Sequence, residues 1–539
     1  MTGQFVNIAQ PLVDQAHTQP DGAAFLHRTA GTITYRQLNA ESDRLARGLR
    51  SLGLRPGMRI VLMVPPSVEF FSLTFALFKL GCVIVLIDPG MGARNLGICL
   101  GEAMPDGFIG VPRAHLARLL LGWGKKTLRH FVTVGRTLFW VGWSLGRVQQ
   151  AGAEGEPVMA STRADDMAAI LFTSGSTGVA KGAVYTHGIF AAQVEMLRTM
   201  YGIEPGEVDL PTFPLFGLFG PALGMTAILP QMNYTRPGSV HPRAILDPIR
   251  EQGVTSLFGS PALLRQVAFS PQAQGVKLTS LRRVISAGAP VAPAVIRRVV
   301  ELLPPGCQVH TPYGATEALP VSTIGSQEIL GETGALTSQG KGVCVGVPVA
   351  SMTVRIIRIS DEPIPTWSAD LVEPAGQIGE IVVAGPVVTR SYFNRPESTA
   401  LHKIAQGDTL WHRMGDVGYL DARGRIWFCG RKSHRVRSRT TTYFTIPVEG
   451  VFNAHPAVAR TALVGVDRGA GIEPELCVEV LKGHRIVPGQ LVHELAQLGA
   501  GHEHTRAIRR FHLHAGFPVD IRHNAKIFRE KLATWAARQ

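Results

Sequence analysis

One stretch constrains this chain more than any other: a short apolar run that is followed directly by a loop of small polar residues. Residues 170–172 are Ile-Leu-Phe and predict a buried strand, residues 173–178 are Thr-Ser-Gly-Ser-Thr-Gly, and Lys181 follows. Glycines let the backbone turn sharply and bring its N–H groups close to an anion, and the lysine adds a positive charge. The common nucleotide loop has a different spacing, since Lys181 is followed here by Gly182. The stretch predicts a polyphosphate cradle, and a flexible surface turn is the alternative interpretation.

The composition describes a large globular protein. Of its 539 residues, 45% are hydrophobic and 17% are charged, which suits two or three domains with a sizeable core. The formal net charge of +14 favours anionic partners such as a nucleotide, a nucleic acid or a membrane surface. Nucleic acid is the weaker inference, because no basic stripe is interleaved with aromatic residues. We therefore expect no nucleic-acid partner.

The cysteines and the N-terminus indicate a cytoplasmic protein. Six cysteines lie far apart with no C-x-x-C pair, which is typical of reduced thiols rather than of disulfides or a zinc site. Residues 1–11 lack the charged-then-apolar pattern of a secretory signal. The most apolar stretch, 68–87, contains Glu69, Lys79 and Gly81, and it predicts a buried helix and a core strand rather than a membrane span.

Strands alternate with helical stretches through the larger part of the chain. Apolar runs that predict strands occur at 60–64, 82–87, 254–258, 281–286 and from 309 onward. Such alternation is typical of an α/β fold with a doubly wound parallel sheet. Small and polar residues follow predicted strands at 173–178, 287–290 and 313–317. We expect these three loops to converge at the carboxyl edge of the sheet, where open α/β folds bind their ligands.

The character of the chain changes at about residue 342. Apolar runs at 353–359 and 379–383, in a region with many glycines, predict a β-rich subdomain that includes a hairpin over 421–428. Residues 430–434 are charged and unpatterned, so we place the main domain boundary there. The remainder predicts a small α+β unit that ends in a helix over 525–537.

The segment 115–148 combines aromatic and basic side chains. Its tryptophans are Trp123, Trp140 and Trp143, and the bases beside them are Lys125, Lys126, Arg129, Arg136 and Arg147. A basic, aromatic, amphipathic stretch is able to lie on a membrane or on a partner protein. A pair of ordinary packing helices is the interpretation that we favour.

These motifs occur together, in this order, in the adenylate-forming enzymes: acyl-CoA synthetases, luciferases and peptide-synthetase adenylation domains. The chain resembles that superfamily over nearly its whole length, and Thr34-Tyr35 and Asp88-Pro89 fit the same pattern. The resemblance implies an α/β N-terminal domain over residues 1–431, with βα-layered sheets and a β-rich subdomain, that binds ATP and an acyl substrate. It implies a small, mobile α+β lid domain over residues 432–539.

The resemblance also implies a site for ATP and Mg²⁺. The loop from Thr173 to Lys181 would hold the β- and γ-phosphates, and Glu317 would hold Mg²⁺. Lys526 would serve as the adenylation lysine, where the usual Gly-Lys pair has become Ala525-Lys526. The catalytic residues implied in this way are Lys526, Thr316, at the α-phosphate, and Glu317. The nucleotide-binding residues implied are Thr173, Ser174, Gly175, Ser176, Thr177, Gly178 and Lys181 at the phosphates, Gly288, Ala289, Pro290, Tyr313 and Gly314 around the adenine, and Asp416 and Arg431 at the ribose.

Two departures from the superfamily pattern bear on the second half of the reaction. The usual hinge aspartate is replaced by Ser433, and residues 436–443 lack the glycine-containing loop that forms the thiol-transfer site. Gly217 stands where many relatives carry a histidine. Both changes argue against an ordinary CoA ligase.

A narrower resemblance is to the β-lactone synthetases of bacterial long-chain olefin biosynthesis. It implies ATP-dependent activation of a 2-alkyl-3-hydroxy fatty acid, closure of a β-lactone by the 3-hydroxyl, and assembly with other olefin-pathway enzymes. The alternatives are a fatty acyl-CoA ligase and, in another class, an inactive adenylate-forming fold that serves as an assembly scaffold. Intact Lys181, Glu317 and Asp416 argue against the scaffold.

Overall fold

The computed structural model describes residues 5–27, 31–173, 180–469, 471–484, 486–519 and 527–539. Two open sheets form most of the N-terminal part. Within the described ranges, the first has seven strands, parallel except for the antiparallel last pair. In sheet order they are Trp143–Ser144, His130–Thr133, Gly107–Gly110, Arg59–Met63, Val83–Leu86, Met167–Phe172 and Gly182–Thr186.

The second open sheet has nine strands among the residues described. Its central strands run parallel, and antiparallel pairs flank them at both edges. In sheet order they are Val347–Pro348, Ala318–Gly325, Gln308–Ala315, Arg283–Ile285, Ser256–Phe258, Val208–Pro211, Thr226–Ile228, Ala23–His27 and Gly31–Thr34.

Two smaller β units complete the chain. An antiparallel sheet contains Val343–Cys344, Ile426–Arg431, Thr409–Leu420, Gly379–Ala384 and Thr353–Ile357, with Lys403–Gln406 paired to Thr409–Leu420. The C-terminal part contains a sheet of Val458–Asp467, Ile472–Val480 and Arg510–Leu513, and a short hairpin of Val436–Arg437 and Thr442–Tyr443. This layout confirms the predicted fold class: large α/β sheets, a β-rich unit and a smaller α+β C-terminal part.

Helices cover the faces of these sheets. Their bounds are Gln10–Thr18, Tyr35–Ser51, Val68–Lys79, Ala93–Ala103, Pro112–Leu121, Leu145–Ala151, His187–Tyr201, Pro214–Ala222, Arg243–Glu251, Pro261–Ala268, Pro293–Val300, Ser326–Glu328, Gly334–Ser338, Pro396–His402, Thr445–Phe452, Pro488–Ala500 and Arg529–Ala536.

Local sequence explains where several helices begin. Thr34 and Gln37 form a reciprocal capping box at the start of Tyr35–Ser51. Ser67 caps Val68–Lys79, and Ser260 caps the helix that opens with Pro261, as its sequence predicts. Each cap satisfies a backbone N–H that has no partner inside the helix, so the boundaries follow from residues at the helix ends.

The apolar helix Val68–Lys79 is buried on all sides, as predicted. Its single lysine is accommodated by an ion pair, since Lys79 Nζ lies 2.7 Å from Asp43 Oδ1. Lys79 Nζ also donates to Asn39 Oδ1 at 2.7 Å. Burial nevertheless lowers the pKa of Lys79. In the ranges that the structure describes, no helix combines the length and the apolar character needed to cross a membrane.

Two expectations need correction. The βα alternation predicts one doubly wound sheet, whereas the structure divides these strands between two sheets, because alternation does not encode which strands pair.

The segment 115–148 is also more than a pair of helices. Between Pro112–Leu121 and Leu145–Ala151 it adds the strands His130–Thr133 and Trp143–Ser144 to the edge of the seven-stranded sheet.

Candidate active site

A cavity of about 1540 Å³ lies where the two open sheets and the antiparallel sheet meet. Strand Met167–Phe172 of the seven-stranded sheet and strand Gln308–Ala315 of the nine-stranded sheet both end at its wall. The described residues that follow the predicted strands therefore line one cavity: Thr173, Ala287 with Gly288, and 314–317. They reach it from two sheets rather than from the carboxyl edge of one.

The described ends of the predicted phosphate loop lie in this wall. Thr173 N donates to Lys181 O at 3.0 Å, so the two residues close the loop at its base. Lys181 Nζ lies 3.4 Å from His402 Nε2 and 4.9 Å from the centroid of the Tyr392 ring. Burial lowers the pKa of Lys181, while nearby Glu317 opposes the shift. Five loop residues and the predicted adenylation lysine fall outside the described residues: Ser174, Gly175, Ser176, Thr177, Gly178 and Lys526.

Thr316 and Glu317 form the turn between two antiparallel strands and face the same cavity. Tyr185 donates from its hydroxyl to Thr316 O at 2.6 Å, which fixes the backbone of the turn. Tyr392 donates to Glu317 Oε1 at 2.6 Å. Mg²⁺ is usually held by one or two carboxylates together with substrate phosphates, so a carboxylate opposite the phosphate-loop lysine fits such an ion.

Asp416, which is buried, and Arg431, whose side chain is 37% exposed, form an ion pair on neighbouring strands. Arg431 Nη1 lies 2.9 Å from Asp416 Oδ1, and Tyr313 donates from its hydroxyl to Asp416 Oδ2 at 2.7 Å. Burial raises the pKa of Asp416, whereas Arg431 and the Tyr313 hydroxyl oppose that shift. Despite its closeness to Arg431, Oδ1 accepts no hydrogen bond of good geometry among the described residues. A buried carboxylate oxygen with spare acceptor capacity suits a ribose hydroxyl.

The loop after strand Arg283–Ile285 reaches the rim of the cavity. Gly288 lies in the lining with a φ of 95°, a conformation that favours glycine, and Ala289 and Pro290 follow it. Gly314 also lines the cavity. Tyr313, which the resemblance places on the adenine, packs its ring 6.2 Å from that of Phe428 and donates from its hydroxyl to Asp416.

Sequence reasoning missed the cavity residues contributed by 390–412. Tyr392, Arg395, His402 and His412 all line the cavity. Burial, reinforced by the neighbouring charge of Lys181, lowers the pKa of His402 to about 4, so this imidazole is neutral at pH 7. The sequence feature that could have indicated these residues is the density of aromatic and titratable side chains after strand Gly379–Ala384. These side chains follow no periodic pattern that would predict a binding site.

Apolar side chains also line the cavity. Phe216 and Phe258 stack with ring centroids 3.9 Å apart, and the other apolar lining residues include Leu86, Ile87, Ala114, Ala117, Trp123 and Met232. A Cβ placed on Gly217 would lie 2.8 Å from Phe71 Cζ. A histidine at this position would therefore require Phe71 to move. The cavity thus combines polar, phosphate-compatible groups with an apolar wall able to contact an alkyl chain.

The fold, and a cavity lined by both polar and apolar side chains, define an adenylate-forming class of enzyme. Residues 12–393 match the family described as AMP-binding enzyme, which is well over half of the chain, and the chain belongs to this family. It is accordingly a ligase-type enzyme.

Particular relatives are more informative than the family. The chain is 51% identical over 547 residues to the olefin β-lactone synthetase of Stenotrophomonas maltophilia, covering 98% of each chain. It is 50% identical over 549 residues to the olefin β-lactone synthetase of Xanthomonas campestris pv. campestris, covering 99% of this chain and 98% of that one. Among solved structures, ATP-bound MatB from Rhodopseudomonas palustris superposes with a TM-score of 0.80 at 22% identity, covering 99% of both chains. That likeness concerns the fold.

Proposed function

We propose that this enzyme uses ATP to activate a 2-alkyl-3-hydroxy fatty acid as its acyl-adenylate and then releases it as a β-lactone, with AMP and pyrophosphate as the other products. The similarity at about half of all positions to enzymes named olefin β-lactone synthetase supports this reaction. The observation that carries the proposal is a single cavity whose wall includes both Lys181 and Glu317 and the aromatic side chains of Phe216 and Phe258.

The first step joins two anions, the carboxylate of the acid and the α-phosphate. A carboxylate oxygen attacks the α-phosphorus, and the bond to pyrophosphate breaks. Lys181 neutralises charge on the departing phosphates, and Lys526 is proposed to approach the α-phosphate. Glu317 would hold Mg²⁺, which when bound would supply positive charge to the phosphates. Preorganised charges of this kind usually provide the largest catalytic contribution.

The nucleotide is proposed to bind through separate groups of residues for its phosphates, its ribose and its adenine. Thr316 contacts the α-phosphate, and the loop beginning at Thr173 cradles the outer phosphates. Asp416 accepts hydrogen bonds from the ribose, with Arg431 holding the carboxylate in place. The segment Gly288–Pro290 flanks the adenine. The Tyr313 hydroxyl supports Asp416, which gives this residue a positioning role beside any contact with the base.

The second step is proposed to be intramolecular. The oxygen of the 3-hydroxyl attacks the activated carbonyl carbon, the hydroxyl proton is released, and the carbonyl–phosphate bond breaks to free AMP. Holding the nucleophile next to the carbonyl contributes on the order of 7–11 kcal/mol in favourable cases, which offsets part of the strain of the four-membered ring. No external thiol is needed, which agrees with the departures at Ser433 and over 436–443.

We also propose that residues 432–539 move as a lid relative to residues 1–431. The junction contains a partly exposed ion pair: Arg435 Nη2 lies 2.6 Å from Asp361 Oδ2, and the Asp361 side chain is 51% exposed. An ion pair of this kind can exchange with water at modest cost. Assembly with other enzymes of olefin synthesis is proposed from the resemblance to the β-lactone synthetases of that pathway.

Product identification tests the proposal. Purified enzyme is given ATP, Mg²⁺ and a 2-alkyl-3-hydroxy acid, with and without CoA, and the products are identified by NMR. We expect the β-lactone and AMP in both reactions. A product that forms only with CoA, as an acyl thioester, would show a CoA ligase instead. Absence of pyrophosphate exchange with every acid offered would indicate the inactive scaffold.

A further inference from the structure

Exposed apolar side chains are concentrated in residues 112–142, which we call the docking segment. Sixteen large hydrophobic side chains are exposed among the residues that the structure describes, and seven of them lie in this segment. The most exposed are Leu120, Phe139 and Val141, at 76%, 78% and 85%. A contiguous apolar patch on a globular protein commonly marks an interaction site.

The docking segment has a defined shape. The ring of Trp140 stacks on His115 of helix Pro112–Leu121, with centroids 5.4 Å apart and planes at 13°. Trp140 Nε1 also donates to Thr133 Oγ1 at 2.9 Å. These contacts fix the loop against the helix, so Phe139 and Val141, on either side of Trp140, project from the same region as the exposed leucines. The apolar surface is therefore built into the fold.

The charge of this region has one sign. Residues 107–153 contain no aspartate or glutamate. Apart from the buried Arg118, the bases of this stretch are exposed: Arg113, Lys125, Lys126, Arg129, Arg136 and Arg147. Within the described part of the chain, none of the six forms a salt bridge. Apolar side chains bordered by exposed basic side chains match the interface of an anionic bilayer, where acyl chains and phosphate headgroups meet.

The same helix also lines the substrate cavity. Ala114 and Ala117 of Pro112–Leu121, and Trp123 just beyond it, face the cavity, whereas Leu116, Leu119 and Leu120 are exposed. We propose that the docking segment seats this enzyme on an anionic phospholipid surface and brings the cavity wall formed by Ala114, Ala117 and Trp123 next to the bilayer that holds its long-chain acid. The identity of that acid rests on the proposed function, whereas the docking itself does not.

Vesicle flotation with the full-length chain tests this proposal without substrate. Vesicles of phosphatidylcholine alone and vesicles that contain phosphatidylglycerol are compared at low and high salt. We expect flotation with the anionic vesicles only, weakened by salt. Phe139→Ser with Val141→Ser, and separately Lys125→Glu with Lys126→Glu, should each reduce the bound fraction by about tenfold or more, because apolar insertion and surface charge both contribute.

Matched variants separate docking from general effects of composition. Phe269→Ser with Val487→Ser removes the same residue types from exposed positions outside the segment. Arg250→Glu with Arg297→Glu makes the same change in net charge elsewhere on the surface. Both controls should float like the unmodified protein, and melting temperatures should show that all variants are folded. Flotation of the segment variants at the control level would overturn the proposal, as would equal binding to neutral vesicles.

Two further outcomes distinguish the competing explanations. If the unmodified protein stays with the soluble fraction and only its mass in light scattering depends on the segment, the patch is a protein interface and the proposal fails. If vesicles bind as expected but no lactone forms, the docking stands and the proposed reaction is wrong. With a short, soluble hydroxy acid, the segment variants should keep the turnover of the unmodified enzyme, while turnover of a vesicle-held long-chain acid should fall.

Discussion

Tyr392 donates a hydrogen bond to Glu317 across 75 residues of chain, with 2.6 Å between its hydroxyl oxygen and Oε1. Glu317 belongs to the turn after strand Gln308–Ala315, whereas Tyr392 forms a backbone bridge with Ala183 at the edge of the seven-stranded sheet. The contact therefore ties the carboxylate that we assign to Mg²⁺ to the sheet that carries the phosphate loop. It also places the aromatic ring under Lys181.

Tyr392→Phe should lower the rate of adenylation by about tenfold to a hundredfold, since a hydrogen bond to a charged group contributes about 1.5–3 kcal/mol. A freed carboxylate would hold the ion less well, so the variant should also need more Mg²⁺ for half-maximal rate. Pyrophosphate exchange across a Mg²⁺ titration measures both effects. Tyr201→Phe, which removes a buried hydroxyl beside Thr323 instead, should leave the Mg²⁺ dependence unchanged. An unshifted titration for Tyr392→Phe would remove this residue from ion binding.

Asp416→Asn should weaken ATP binding by about tenfold or more, because the ribose loses a charged acceptor. Loss of its ion pair with Arg431 should also destabilise the fold by about 1 kcal/mol or less, because 37% of the Arg431 side chain is exposed to solvent. Glu207→Gln is a matched control, because it breaks the buried pair with Arg283 at 2.6 Å outside the cavity. Calorimetry should show both variants melting lower, and titration should show only Asp416→Asn losing ATP affinity. Equal ATP affinity in the two variants would contradict the ribose role.

Ala117→Phe should narrow the cavity where its wall is apolar, because the Ala117 side chain lies in that wall. We expect kcat/KM for long-chain acids to fall by about tenfold or more relative to short ones, since an overpacked wall costs about 1–3 kcal/mol. Leu116→Phe, one position earlier and exposed, should keep the original chain-length preference. Competition between acids of two lengths gives the ratio directly. A preference that is the same in both variants would place the alkyl chain elsewhere.

His187→Asn should make the protein less sensitive to acid. Burial lowers the pKa of His187 to about 4, and its Nδ1 accepts a hydrogen bond from Ile8 N at 3.2 Å. The unfolded chain therefore binds a proton near pH 6.5 that the folded chain refuses until about pH 4, so stability falls as pH falls through this window. Asparagine retains an acceptor but cannot titrate. Urea unfolding at pH 7.5 and pH 5 should show a smaller loss for the variant, and an equal loss would contradict the assignment.

Lys526→Ala should abolish adenylation while leaving ATP binding largely intact, because this lysine is proposed to act on the charge that develops at the α-phosphate. Pyrophosphate exchange and equilibrium binding of ATP measure the two properties separately. Lys531→Ala, five positions further along, serves as the control and should retain full exchange. Unchanged turnover in Lys526→Ala would remove this residue from the mechanism.

The sequence alone determined the local elements and the kind of protein. Strand and helix patterns are encoded by nearby residues, so Val68–Lys79 and the helix capped by Ser260 have the predicted form. The loop from Thr173 and the turn at Thr316–Glu317 likewise identified the family, because their glycine, hydroxyl and carboxylate spacing is contiguous in the chain.

Only the tertiary structure decided which of these elements meet. Strand pairing and cavity walls depend on contacts between residues far apart in sequence, and periodicity carries no information about them. For this reason the sequence predicted one sheet where the structure has two, and it did not predict that Tyr392 and His402 line the site. The hydrogen bond from Tyr313 to Asp416 is a further contact of this kind. The same reason applies to helix Pro112–Leu121: its sequence indicates an amphipathic stretch, but only packing shows that one face lines the cavity while the other stays exposed.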